Sequence, residues 1–169
     1  MKNLIFCFVA LSLVACNKHK VQSKHNPLLG SWKMQSVTWI SQEKSYPINP
    51  AQAGIFLFTD NSYSIQWTPT KEPRKSFVDL SKPTDKEKMA GFASVVFNSG
   101  SYEFTDKTVT TTAYIAKVPG FEGGKQYYNY TVNGNTLTIT MIDEDYPDGS
   151  KPEWAGKWTT KFTLQRVTP

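Results

Sequence analysis

Eight short segments of the sequence alternate between apolar and polar residues, and this period of two constrains the fold more than any other feature. Tight turns follow three of them: TDNS after the second segment, TDKT after the fourth and VNGN after the sixth. Such short links make consecutive strands antiparallel neighbours. The predicted strands are 29–40, 54–60, 62–68, 100–105, 108–117, 125–133, 135–142 and 157–167. The sequence therefore predicts an all-β domain.

The alternation also indicates an enclosed interior, because one face of each strand is apolar and the other is polar. The predicted inward face carries Trp32, Met34, Ser36 and Thr38 in the first strand, Tyr63, Ile65 and Trp67 in the third, and Trp158, Phe162, Leu164 and Arg166 in the last. Closure into a barrel removes the exposed edges that an open sheet would leave. We therefore predict an eight-stranded antiparallel up-and-down barrel, whose interior has room for packed side chains or for one small ligand.

Residues 82–100 break the strand pattern and predict one amphipathic helix between strands 3 and 4. Thr84 and Glu87 have the spacing of a capping box. The apolar residues at helical spacing are Met89, Phe92, Ala93, Val96 and Phe97. Asn98 and Gly100 supply a stop signal. We expect this helix to lie across an open end of the barrel.

The first and last strands carry residues that would meet in a closed barrel. Gly30 and Trp32 begin the first strand, and Arg166 lies near the end of the last. A guanidinium stacked on an indole is favourable, more so when it is shielded from water. Glycine lets the incoming chain pass close beneath the barrel floor. This pattern resembles the lipocalin superfamily, in which the tryptophan closes the floor and an arginine of the final strand packs over its ring.

Three longer stretches resemble the bacterial lipocalin-like domains of small secreted and lipid-anchored proteins. LLGSWKMQSV is similar to their opening strand, GFASVVFNSGSYEF to their helix and following strand, and GGKQYYNYTVNGNTLTIT to their penultimate hairpin. The match extends over about residues 28–167. One departure is the turn VNGN, where many lipocalins carry Thr-Asp-x-Tyr. The resemblance implies the barrel fold, but it does not transfer the ligand of any particular lipocalin.

The predicted inward face is rich in aromatic side chains, which suits a pocket for an apolar molecule with a few polar groups. The candidate ligand-binding residues are Met34, Tyr63, Trp67, Tyr102, Phe104, Tyr128, Tyr130, Trp158 and Phe162. The alternative is that these side chains fill the interior as core. The leading hypothesis is noncovalent binding of a small hydrophobic molecule, without a cofactor. A cofactor-free isomerase or cyclase that uses Glu103 or tyrosine hydroxyls, and an accessory envelope lipoprotein with a filled core, stay open as rivals.

The N-terminus predicts export and lipid anchoring. Lys2 precedes the apolar run LIFCFVALSLVA, which has signal-peptide length and is too short to span a membrane as a mature helix. The run ends in LVAC, which resembles the lipobox of bacterial lipoproteins, where the chain is cut before the cysteine and lipid is attached to its sulfur. The alternative is an ordinary secretory peptide cut nearby. The predicted segments are a signal peptide over 1–15, a flexible tether over 16–27 and a barrel domain over 28–169.

The cysteine count agrees with an anchor at Cys16. The sequence has two cysteines, and Cys7 lies within the predicted signal peptide, so an exported mature chain would have no internal disulfide. The basic run NKHKVQSKHNP then lies beside an anionic lipid surface. We predict a bacterial cell-envelope protein held through lipidated Cys16 on the outer membrane and facing the periplasm.

Several other function classes are excluded. The net charge of +5 is modest, and no basic face is interleaved with aromatics as nucleic-acid binding requires. His19 and His25 both fall in the predicted tether, so the barrel has no histidine for a catalytic triad or a zinc site. DEDYPDG, residues 143–149, lacks the alternation of an EF-hand loop and is interpreted as a solvated hairpin tip. No metal site is predicted.

Overall fold

The computed structural model describes residues 25–167, and in this part of the chain the last strand returns to pair with the first. The elements are β1 (Gly30–Ile40), β2 (Ser45–Ile48), β3 (Gly54–Phe58), β4 (Ser62–Trp67), α1 (Asp85–Ala93), β5 (Val96–Phe104), β6 (Thr108–Ala116), β7 (Lys125–Asn133), β8 (Thr136–Asp145) and β9 (Thr159–Arg166). The sheet order is β2-β1-β3-β4-β5-β6-β7-β8-β9, closed by the pairing of β1 with β9. All of these pairs are antiparallel.

β2 and β3 together occupy one position around the barrel. Residues 30–33 of β1 pair with β3, and residues 37–40 pair with β2 along the same edge. The opposite edge of β1 pairs with β9. The nine strands therefore form eight positions, which confirms the predicted closed eight-stranded antiparallel barrel. The sequence pattern does not reveal β2, because its four residues, SYPI, include Pro47 and are too few to show an alternation.

The helix is shorter than predicted and follows the fourth strand. α1 ends at Ala93, and the predicted helical residues Val96 and Phe97 instead begin β5, where they pair with Trp67 and Gln66 of β4. Strand pairing therefore overrides the helical spacing of these two residues. Because β2 adds one strand before the helix, the predicted position between strands 3 and 4 is wrong.

The start of α1 follows the predicted capping box, but its apolar side chains do not pack on the barrel. The Thr84 hydroxyl accepts from the Glu87 N–H at 3.3 Å, and the Glu87 carboxylate accepts from the Thr84 N–H at 2.8 Å. Met89 is 68% exposed, and none of the helix residues is buried. α1 is thus held at its start rather than through an apolar face. Within residues 25–167, no helix is long and apolar enough to cross a membrane.

The barrel has two different ends. Its floor lies where β1 begins and β9 ends, and its mouth lies where β1 ends and β9 begins. The floor and the centre are filled by a buried apolar cluster, in which Phe162 contacts Phe56 and Trp67 with ring centres 5.1 and 5.0 Å apart. Each such large side chain contributes roughly 1.5–3 kcal/mol when fully buried. The cluster comprises Leu28, Trp32, Met34, Val37, Phe56, Phe58, Tyr63, Ile65, Trp67, Tyr102, Val109, Tyr128, Tyr130, Leu137, Ile139, Phe162 and Leu164.

Three β-bulges change which side chains face inward towards the mouth. At each bulge one strand has an extra residue with no partner on the neighbouring strand. The side chains after this residue therefore point to the opposite face of the sheet. In β1 the predicted inward positions Ser36 and Thr38 are therefore wrong, and Val37, which is 1% exposed, and Trp39 pack against the core instead. The extra residues are Gln35 in β1, Tyr114 in β6 and Ile142 in β8.

Candidate functional site

The barrel floor is closed by an arginine stacked on a tryptophan. Trp32 is fully buried, and its indole N–H donates to the carbonyl of Leu28 at 2.7 Å. Arg166, its register partner in β9, places the guanidinium carbon 3.9 Å from the centre of the indole ring. The guanidinium also donates to the carbonyls of Leu29 and Pro27, the latter at 3.0 Å. One side chain of the last strand therefore holds the chain that leads into the first.

The segment before β1 is part of this floor. Gly30 has a φ of +112°, and a Cβ at this position would lie 3.2 Å from Nη1 of Arg166, so glycine allows the turn beneath the stack. Asn26 is 8% exposed and donates to the hydroxyl of Tyr102 at 2.5 Å. That hydroxyl donates onward to the carbonyl of Thr59 at 2.6 Å. The ordered floor thus includes Asn26, a position that the sequence pattern predicts in the tether.

A cavity of about 230 Å³ lies at the mouth, where β5 and β7 begin and β6 and β8 end. A more open depression of about 400 Å³ shares Val118, Phe121 and Tyr146 with it. The walls are mainly apolar, and the base is polar. The lining residues are Val96, Phe97, Asn98, Ala116, Lys117, Val118, Phe121, Gln126, Glu144 and Tyr146.

The base of the cavity is a chain of buried hydrogen bonds. The Gln126 side-chain oxygen accepts from the Tyr128 hydroxyl at 2.7 Å and from the Asn98 amide at 3.1 Å, and the Gln126 amide donates to the Glu144 carboxylate at 2.6 Å. The Oδ1 atom of Asn98 is buried and has no hydrogen-bond partner among residues 25–167. Leaving a buried acceptor unpaired costs about 1–3 kcal/mol.

Glu144 reaches the cavity because of the bulge in β8. Met141 is opposite Tyr128 and Glu144 is opposite Gln126, and the extra residue Ile142 allows both pairings. Without it, Asp143 would take the inward position by alternation. Burial raises the pKa of Glu144, the hydrogen bond from Gln126 lowers it, and the nearby charge of Asp143 raises it further. The cavity thus holds a carboxylate whose ionised form is disfavoured by its surroundings.

Comparison with known families agrees with the closed barrel. The family model for a lipocalin-like domain matches residues 29–166, a range that includes Trp32, Arg166 and every described strand. The chain belongs to the lipocalin-like domain family. No curated protein matches it. A lipocalin-like barrel supports a binding-protein type of function and is consistent with a small hydrophobic ligand.

In this lipocalin-like domain most of the predicted ligand-binding residues are packed in the core. Phe104 is partly buried against that core, and Trp158 lies near the mouth, stacked on Tyr46 with ring centres 5.8 Å apart. None of the nine lines the mouth cavity, although Tyr128 contacts its base through Gln126. The buried members of the predicted set are Met34, Tyr63, Trp67, Tyr102, Tyr128, Tyr130 and Phe162.

The polar residues of the cavity are ones that the sequence pattern does not single out. Gln126 shares the alternation of Tyr128 and Tyr130, so the period of two could have found it. Asn98 falls in the predicted helix stop and is instead an inward residue of β5. Glu144 depends on a bulge that the alternation does not show.

Three other carboxylates do not line the cavity. Glu103 is exposed beside the inward Tyr102, as the alternation predicts. Asp143 and Asp145 bind the same ammonium group of Lys151 at 2.6 and 2.7 Å, so this lysine, just after the DEDYPDG segment, bridges two of its carboxylates. Within the described part of the chain, no group of three or more His, Cys, Asp or Glu side chains could hold a metal ion.

The buried tyrosine hydroxyls of the lipocalin-like domain stay protonated at physiological pH. Burial raises the pKa of Tyr63 to about 12. It also raises the pKa of Tyr128 well above its usual value, and the nearby Tyr63 and Glu144 act in the same direction. Both side chains are therefore neutral phenols, which pack and orient groups through hydrogen bonds and are not bases that abstract a proton.

Proposed function

We propose that this lipocalin-like protein binds a small, mostly hydrophobic molecule noncovalently in the mouth cavity. The observation that supports this is the combination of apolar walls, formed by Val96, Ala116, Val118 and Phe121, with a polar base that includes the hydrogen-bonded pair of Gln126 and Glu144. Apolar walls favour transfer of an apolar body from water, and a few polar groups fix its orientation. Because the core beneath is packed, the proposed site is at the mouth rather than at the barrel centre.

The first test for a bound ligand is native mass spectrometry of the full-length protein, extracted from its own host in mild detergent. We expect a stoichiometric small apolar compound that is lost on denaturation and can be identified after organic extraction. A clean unliganded mass, together with no uptake of the neutral fluorescent probe N-phenyl-1-naphthylamine, would contradict the proposal.

Filling the cavity is expected to abolish this binding. Ala116→Trp places an indole in the cavity, so the affinity for the fluorescent probe should fall by about tenfold or more, since the ligand volume is removed. The matched control is Ile115→Trp at the preceding residue of β6, which is 55% exposed and does not line the cavity. Equal probe binding by both variants would place the ligand elsewhere.

We further propose that Cys16 carries lipid and anchors the protein in the bacterial cell envelope, at the outer membrane and facing the periplasm. The support is the LVAC sequence at the end of an apolar run of signal-peptide length. Cys16 and the predicted signal peptide, 1–15, lie outside the described residues. Asn26, which is bonded to Tyr102 in the barrel floor, follows Cys16 after a short stretch of sequence, so the proposed anchor would hold the barrel near the lipid surface.

Cys16→Ser is expected to release the protein from the membrane fraction of its host, because the sulfur that would carry the lipid is gone. Cell fractionation and the intact mass of the purified protein measure the two effects. Cys7→Ser, within the apolar run, is the matched control and should keep both the acylated mass and the membrane location. A Cys16→Ser protein that stays in the membrane, with no change in acylation, would disprove the anchor.

A further inference from the structure

The hydrogen bonds at the base of the cavity have a fixed direction. An ionised carboxylate only accepts, so the Gln126 atom that lies 2.6 Å from Glu144 is the amide nitrogen. The Gln126 oxygen therefore faces Asn98 and Tyr128 and accepts from both of them. The Asn98 nitrogen points to Gln126, which leaves its Oδ1 atom unpaired. The polar group that this network leaves for a ligand is the Glu144 carboxylate, which accepts hydrogen bonds.

The charge of the cavity base is negative and uncompensated. Among residues 25–167, no lysine or arginine forms an ion pair with Glu144. Lys151 is held by Asp143 and Asp145, and Lys117 at the rim places its ammonium 4.6 Å from the ring centre of Phe92. A half-buried carboxylate without a counter-charge is costly, and a cationic ligand would remove that cost.

Two aromatic rings line the same cavity as this carboxylate. Phe121 and Tyr146 both line the cavity, their ring centres are 6.3 Å apart and their planes are nearly perpendicular, at 89°. Ring faces attract cations through their quadrupole, and the attraction grows when water is excluded. Acceptors at the base, one negative charge and aromatic walls are complementary to the same chemical group.

We propose that the ligand is an amphipathic organic amine, with its ammonium group at Glu144 and its apolar part against Val96, Val118 and Phe121. This inference rests on the proposed binding function and specifies the ligand class of the same cavity. The ammonium donates to the Glu144 carboxylate, and no covalent bond is formed. Anionic amphiphiles such as fatty acids are disfavoured, because they would bring a second negative charge to the base.

The test compares three water-soluble probes with one common chain: hexylamine, hexanol and hexanoate. Their dissociation constants from the full-length protein are measured by isothermal titration calorimetry at pH 7. We expect hexylamine to bind about tenfold or more tightly than hexanol, and hexanoate to bind least. Equal binding of all three, or a preference for hexanoate, overturns the amine inference and leaves the binding function intact. Failure of all three, with no uptake of the fluorescent probe, overturns the binding function itself.

A matched pair of variants assigns the preference to Glu144. Glu144→Gln should weaken hexylamine binding about tenfold and leave hexanol binding nearly unchanged. Asp143→Asn, at the adjacent carboxylate that binds Lys151, should weaken hexylamine binding far less than Glu144→Gln does. Folding raises the pKa of Glu144, so the ionised form of this side chain lowers the stability of the protein at neutral pH. The melting temperature of the Glu144→Gln variant should therefore be no lower than that of the wild type. Loss of hexanol binding together with hexylamine binding would show a structural role instead.

The pH dependence of the unmodified protein gives an independent readout. Lowering the pH protonates Glu144 before an ordinary carboxyl group, because burial raises its pKa, so hexylamine affinity should fall while hexanol affinity is constant. The charged and titratable neighbours are Asp143 on the same strand, Tyr128 on β7 and Lys117 after β6. Hexylamine affinity that does not change down to the pH of acid unfolding would contradict the assignment.

Discussion

Trp32→Ala is expected to lower the free energy of unfolding by about 4 kcal/mol. The side chain is fully buried, its N–H is bonded to the Leu28 carbonyl and the Arg166 guanidinium lies over its ring. Its removal leaves a cavity at the floor, an unpaired carbonyl and an arginine without its stacking partner, and these losses act together. Urea unfolding followed by far-UV circular dichroism measures the change without relying on the tryptophan that was removed.

Trp158→Ala is the matched control for this prediction. Trp158 is half-buried near the mouth, outside the core cluster, and its described ring contact is with the exposed Tyr46. Removal of this side chain should cost about 1 kcal/mol. Equal losses of stability in the two alanine variants would show that the stack of Arg166 on Trp32 stabilises the barrel no more than the contact of Trp158 with Tyr46 does.

Gly100→Ala is expected to cost about 3 kcal/mol, a large effect for the addition of one methyl group. The added Cβ would lie 1.9 Å from the carbonyl oxygen of Thr112 and 2.8 Å from the amide nitrogen of Tyr114. Both are backbone atoms of β6, which the bulge at Tyr114 brings against β5. The clash is relieved only if β5 and β6 separate locally, and Asn98 is two residues away on β5. The melting temperature and the uptake of the fluorescent probe should therefore decrease together.

Gly91→Ala, inside α1, provides the comparison. The added Cβ would meet the end of the Phe77 ring at 2.9 Å, and a side chain can move where a backbone cannot. Alanine also favours a helix interior by about 1 kcal/mol over glycine. The melting temperature of this variant should therefore stay near that of the wild type. A decrease as large as that of Gly100→Ala would contradict the explanation of the Gly100 effect by a clash with the β6 backbone.

The closed barrel could be predicted from the sequence because its main signals are local. Turns such as VNGN fix antiparallel neighbours, and the alternation along β7 and β9 fixes which face is buried. The helix end could not be predicted in this way. Val96 and Phe97 fit a helix by spacing, and only the edge of β4, which is distant in sequence, makes them a strand. α1 then keeps a capped start without a buried face.

The candidate site is less predictable than the fold because it depends on bulges. Gln126 follows the regular alternation of β7, but Glu144 is inward only because Ile142 is an extra residue in β8. A bulge is a property of two paired strands and leaves no consistent mark in one of them. The aromatic pattern identifies the interior side chains, yet it does not distinguish those that fill the core from those that border an opening.

Pairing of β1 with β9 also determines the order in which this chain can fold. Arg166 contacts the Leu29 carbonyl across 137 positions of sequence, and contacts of such separation form slowly because a long loop must close first. Until β9 is available, β1 and β8 each present an unpaired edge that can bind other chains. Barrel formation is therefore a late step that requires the whole domain, and the growing chain passes through a period in which its aggregation must be prevented.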